Sequence, residues 1–234
     1  MIHPSPLLWH PPPSSIYVPS TAHCPKMQQI AHTSYCRTQQ FVTTNNHDLS
    51  VSNMSSPEER KKPNILFTGT PGVGKTAIAT MVAEKLGLHH ANVGEIIKEN
   101  KCHTEYDQSL DTHVLDEDKL LDIMEVDFDT EYISGGIVAD YHSCELFPER
   151  WFDLIVVLRA DTEVLYDRLT ERGYNDKKRS ENIECEIMRV IIDEAKESYA
   201  KEIVQELSNN TIEEMDQNIA RVESWYHQWI QDHE

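Results

Sequence analysis

The chain has 234 residues with 21 Lys and Arg against 40 Asp and Glu, and its net charge of −19 falls wholly on residues 61–234, because residues 1–60 hold three charges of each sign. Such an acidic domain repels phosphate backbones and is a poor direct binder of nucleic acid; it suits a basic protein partner, or the charge simply confers solubility. The five cysteines are odd in number and form no C-x-x-C pair, which argues against a disulfide framework or a zinc site and for a reducing compartment, and no apolar run approaches the length of a membrane span.

Residues 1–60 are rich in Pro, Ser, Thr, His and Gln and lack apolar periodicity, so they are expected to be disordered. No acid precedes Asp48, yet Lys26 and Arg37 are the only strong positive charges before Arg60, and no Arg-rich amphipathic helix or secretory signal is visible. Met54 opens a polar lead into the first strand, so residues 1–53 could be an upstream extension of a chain that starts at Met54.

From Asn64 the pattern alternates. Residues 65–68 are a short buried strand, and 77–86 a helix with Ile78, Val82 and Leu86 at helical spacing. Residues 89–93 follow as a second strand and 95–100 as a helix. Residues 102–113 are expected to be acidic and irregular, and 115–124 helical with Asp116 near its start. Residues 136–140 and 154–158 are buried strands. A helix capped by Asp161 or Thr162 runs to Arg172 and ends at Gly173. The spacing predicts helices over 180–206 and 211–231, the latter with a core-facing stripe of Val222, Trp225, Trp229 and Ile230. Strands alternating with helices predict an α/β fold whose parallel sheet is covered on both faces.

Between the first strand and helix lies Gly69-Thr70-Pro71-Gly72-Val73-Gly74-Lys75-Thr76, which fits the phosphate-binding pattern G-x-x-x-x-G-K-[ST] in the strand–loop–helix context that pattern requires. Its glycines let backbone N–H groups approach phosphate oxygens, and the helix N-terminus adds partial positive charge. Lys75 is placed to reach the β- and γ-phosphates, and the Thr76 hydroxyl to ligate Mg²⁺.

Asp140 ends an apolar strand, where open parallel sheets put their ligands; it holds Mg²⁺ or caps the next turn, with the loop favouring the metal role. His142 either positions a water or substrate hydroxyl or is structural. Arg168 and Arg172 share a helix face just before a basic run, Lys177-Lys178-Arg179. They read as cations of a lid over transferring phosphates, or as surface partners of Glu171 and Asp167. No N-K-x-D run is present, which argues against a small GTPase.

Taken together, GTPGVGKT, Asn92-Val93-Gly94-Glu95, Leu115-Asp116-Glu117-Asp118, Asp140-Tyr141-His142, Phe147-Pro148-Glu149-Arg150-Trp151-Phe152 and Arg172-Gly173-Tyr174-Asn175 resemble the adenylate kinase isoenzyme 6 family, over residues 63–234. The resemblance implies a P-loop NTPase fold of nucleoside monophosphate kinase type, with a monophosphate-binding segment near 92–115 and a short lid near 171–181. It also implies ATP–AMP phosphoryl exchange with Mg²⁺, ATPase activity, a monomer, and residence in nucleus and cytoplasm. A role in small-subunit maturation would run through a basic small-subunit ribosomal protein, touching the pre-ribosomal particle indirectly. Carried onto this chain, Gly72, Val73, Gly74, Lys75, Thr76 and Ala77 would bind ATP with Arg168 and Arg172; Asn92, Val93, Gly94 and Lys98 would bind AMP; and Lys75, Asp140, His142 and Arg172 would be catalytic. Ala77 replaces the family's usual second Thr and Lys98 its usual Arg, and 125–134 is expected to be a slightly lengthened surface loop.

The residues therefore favour a monophosphate kinase. A nucleotide-switched assembly factor, for which AMP is incidental, is the second reading. A kinase of a small hydroxyl compound is a weaker third.

Overall fold

The computed structural model describes residues 60–107 and 112–234, so the expectations for residues 1–59 lie outside the described residues. A five-stranded parallel sheet in the order β2-β5-β1-β6-β7 organises the chain: β1 is Ile65–Thr68, β2 His89–Asn92, β5 Ile137–Asp140, β6 Leu154–Arg159 and β7 Val204–Ser208. An antiparallel pair of strands, β3 (His103–Asp107) with β4 (Thr112–Leu115), stands outside it. The helices are α1 (Lys75–Leu86), α2 (Val93–Asn100), α3 (Glu117–Val126), α4 (Thr162–Glu171), α5 (Asp176–Ile187), α6 (Val190–Ser198) and α7 (Ile212–Asp232).

The three central strands β5, β1 and β6 are buried on both faces, and their side chains alternate between two cores. Leu66, Ala139, Ile155 and Val157 point into one, with residues of α2, α3 and α6; Ile65, Phe67, Val138, Val156 and Leu158 point into the other, with α1, α4 and α7. The chain crosses from one side of β1 to the other between β5 and β6, so the carboxyl ends of β1 and β5 face a crevice of the kind in which α/β sheets bind ligands.

Three expectations need correction. The 102–113 stretch is not irregular in its described residues: His103–Asp107 pairs with Thr112–Leu115 as antiparallel strands, whose alternation is too short to stand out. The 180–206 helix is broken at Arg189, which sits in the left-handed region at φ 61°. After α6 the chain becomes the edge strand β7, whose exposed Gln205 and Glu206 give it a helix-like polar composition. The 125–134 stretch is not a surface loop. It continues α3 through a π-turn over Asp127–Glu131, and buried Phe128 stacks on Trp151 with ring centroids 4.5 Å apart, edge-on to Phe152. The Phe147–Phe152 motif is thus the floor of a core, which accounts for its aromatic content.

Candidate active site

The phosphate loop leaves β1 at Gly69 and enters α1 at Lys75. Gly74 is the helix N-cap at φ 99°, and a Cβ there would lie 2.6 Å from Asn209 Nδ2. Only glycine satisfies both demands. Asn209 Nδ2 donates to the Val73 carbonyl at 2.7 Å, so the turn after β7 braces the loop from behind. Arg168 completes the brace, donating to the carbonyls of Asn209 at 2.9 Å and Asn210 at 2.8 Å.

One cleft is lined by Pro71, Gly72, Gly74, Lys75, Thr76 and Ala77 on the loop side. Asp140, Tyr141 and His142 lie beside them, Asn92, Gly94 and Ile97 come from the start of α2, and Arg172 and Tyr174 complete the lining. The expected residues Gly72, Gly74, Lys75, Thr76, Ala77, Asn92, Gly94, Asp140, His142 and Arg172 are therefore brought together. Four others, Val73, Val93, Lys98 and Arg168, are not among its lining. Val73 and Val93 are fully buried, each packed into one of the two cores. Lys98 is exposed on α2. Arg168 donates to backbone carbonyls, those of Asn209 and Asn210 behind the loop and, at 3.5 Å, that of Gly72 on it.

The lid region is a tight corner. α4 ends at Glu171, Gly173 takes φ 75°, and Asn175 caps α5 by accepting the Lys178 N–H at 2.9 Å. Arg172 occupies that corner. Asn92 caps α2 through its side chain, which accepts the Glu95 N–H at 3.0 Å.

The charged centre is compact. Lys75 Nζ folds back on the loop, donating to the carbonyls of Gly69 at 2.7 Å and Thr70 at 3.0 Å. Desolvation lowers its pKa to about 8; the neighbouring Asp140 opposes that shift and Arg172 adds to it. Asp140 is 4 % exposed, with both oxygens engaged: Oδ2 accepts the Thr76 hydroxyl at 2.6 Å, and Oδ1 lies 2.8 Å from His90 Nε2. Register explains the arrangement, since Asp140 pairs with Phe67 of β1 and Asn92 of β2 and so stands beside the loop's first turn. The hydroxyl of Thr76 and the carboxylate of Asp140 are adjacent hard oxygen donors, which fits Mg²⁺.

His90 was not legible as a site residue. Its Nδ1 lies 3.3 Å from the Thr80 hydroxyl, so the ring bridges α1 to Asp140. In the sequence it is one of two adjacent histidines on a four-residue strand, and only the register of β2 against β5 shows which of them faces the site.

Known proteins resemble this chain in sequence. The AAA domain family profile matches residues 65–189. The chain is 51% identical over 169 residues to an adenylate kinase isoenzyme 6 homologue of Caenorhabditis elegans, covering 72% of this chain and 92% of that protein. It is 44% identical to the Dictyostelium discoideum homologue, covering 74% and 97%, and 42% identical to that of Saccharomyces cerevisiae, covering 74% and 87%. With a phosphate loop, an acid at the end of the neighbouring strand and relatives matched along almost their whole length, this chain is a P-loop nucleotide kinase and belongs to the adenylate kinase isoenzyme 6 family.

Proposed function

We propose that the chain transfers the γ-phosphoryl group of ATP to AMP, with slow transfer to water as a side reaction. The observation that carries this reading is that the phosphate loop, the N-terminal end of α2 and Arg172 line one cleft. Loop N–H groups and the α1 N-terminus would hold the ATP phosphates. Lys75 would exchange its loop carbonyls for phosphate oxygens and, with Arg172, offset charge on the transferring group. The N-terminus of α2 would face the acceptor phosphate, and its positive dipole end favours an anion there. Mg²⁺ brought with the nucleotide would find oxygen ligands in Thr76 and Asp140 and, when bound, neutralise phosphate charge. His90 would hold Asp140 in place.

A second reading draws support from Lys98. Its exposed position leaves α2 without a lysine or arginine among the cleft-lining residues. That favours a nucleotide-switched factor in which hydrolysis governs a basic small-subunit ribosomal protein held by the acidic surface.

The test is ADP formation from Mg²⁺-ATP by the full chain, with and without AMP, for the wild type and Lys98→Ala. A kinase gives a large AMP-dependent rise. If α2 swings Lys98 onto the acceptor, Lys98→Ala raises the AMP KM about tenfold or more, in line with the loss of a charge-assisted contact. Slow turnover that ignores AMP in both proteins would refute the kinase reading and leave the switch.

A further inference from the structure

The phosphate loop is gripped from below by a carboxylate that the proposed chemistry does not use. Glu186, on the last turn of α5, is 4 % exposed. Its Oε2 accepts the Thr70 hydroxyl at 2.5 Å, and its Oε1 accepts Arg159 Nε and, at 3.2 Å, the Ala160 N–H. Arg159 also donates Nη2 to the Glu186 carbonyl at 2.7 Å and Nη1 to Glu206 at 3.1 Å. Both oxygens are filled and the charge is paired, which fixes a buried carboxylate in one place.

Thr70 faces two ways. Its hydroxyl goes to Glu186, and its carbonyl accepts Lys75 Nζ at 3.0 Å. With Lys75 folded back on the loop, a hydrogen-bonded chain thus runs from the end of α5 to its ammonium, and when Lys75 turns to phosphate the Glu186–Thr70 bond still holds the loop backbone that carries it. The other end of α5 begins at Asp176, just past the Arg172 corner. Its 12 residues make a rigid strut about 18 Å long, joining that corner to the loop.

We infer that Glu186 is a positioning residue for phosphoryl transfer: through Thr70 it registers the phosphate loop to the helix that follows Arg172, so that Lys75 and Arg172 meet the same phosphoryl group. The inference rests on the proposed phosphoryl transfer, whether the acceptor is AMP or water. A purely architectural role for Glu186, neutralising Arg159 and seating α5, is the competing explanation, and Thr70 separates the two. Thr70→Val cuts the link to the loop while leaving the contacts of Glu186 with Arg159 and Ala160 in place; Thr70→Ser keeps the link.

The experiment measures kcat, KM for ATP and thermal midpoint for the full-length wild type, Thr70→Val, Thr70→Ser, Arg172→Ala and the Thr70→Val/Arg172→Ala double variant. The expected result is a kcat lowered about tenfold in Thr70→Val, within the range that small misplacements of catalytic groups cost, with the ATP KM within about threefold. Thr70→Ser restores kcat. The double variant loses less than the product of the single losses, because Arg172 is already out of register. A wild-type kcat in Thr70→Val, or losses that multiply, would overturn the inference. Should Thr70→Val not fold, Thr70→Ala takes its place in the same cycle. If the wild type shows no AMP-dependent turnover, the kinase reading fails on its own, and the cycle is run on ATP hydrolysis with the same criteria.

Discussion

At the scale of single residues, Lys75 gives the sharpest consequence. With no phosphate nearby its ammonium is desolvated, and the pKa falls to about 8. Bound phosphates would stabilise the charged form and lift the pKa back toward its ordinary value. Between pH 8 and about 10, nucleotide binding is then coupled to proton uptake, and apparent ATP affinity falls as pH rises, by at most about tenfold per pH unit. Calorimetric titration with ATP at pH 8.5, in two buffers of different ionisation enthalpy, should show a buffer-dependent heat for the wild type and none for Lys75→Met. Equal heats in both buffers for the wild type would remove the linkage. Lys75 and Thr76 were legible from the sequence because a phosphate loop is a local pattern. Thr70, a variable position within that pattern, was not, because its partner Glu186 lies 116 residues away on a helix.

At the scale of elements, short contiguous patterns were read correctly and long-range ones were not. Strands β1, β5 and β6 are apolar runs with no competing reading, and the α4 stop at Gly173 follows from one residue's freedom at positive φ. The β7 strand failed because an edge strand with one wet face looks helical in composition, and the β3–β4 pair failed because four or five residues give too little periodicity. The turn after β7 is the functional cost of that miss, since Asn209 and Arg168 brace the phosphate loop through it. Gly74→Ala tests this brace. The new methyl must either displace Asn209 Nδ2, 2.6 Å away, or force the N-cap out of φ 99°. A loss of roughly 1–3 kcal/mol in stability follows from such strain, read as a lower denaturant midpoint, together with ATP binding weakened at least tenfold by the disordered cradle. Unchanged binding in a destabilised protein would mean that the loop holds its shape without the brace.

At the scale of the whole molecule, stability should depend on pH through two buried groups of opposite sense. Burial, reinforced by Glu145 and Glu197, pushes the Glu194 carboxyl up to about 8. Between its ordinary 4.5 and 8 the folded protein keeps a proton that the unfolded chain has lost, so stability falls as pH rises through this window. Lys75 acts above it: from about 8 to its ordinary 10.5 the folded protein has lost a proton that the unfolded chain keeps, and stability rises. The two penalties coincide near pH 8, where the nucleotide-free protein is at its weakest from these groups and above which the stabilisation that bound nucleotide supplies through Lys75 declines. Glu194→Gln isolates one arm of this balance, because an uncharged amide of the same shape has no proton to lose. Thermal midpoints of wild type and variant at pH 4, 5, 6, 7 and 8 should start within about a degree of each other and then diverge, the variant melting higher at pH 8 by several degrees or more. For a domain of this size about 1 kcal/mol moves the midpoint by 2–4 °C. The acidic surface repels itself increasingly with pH in both proteins and cancels from the comparison. Midpoints that fall in parallel would show that Glu194 is ionised throughout, and that its burial on α6 leaves it enough solvation to carry a charge.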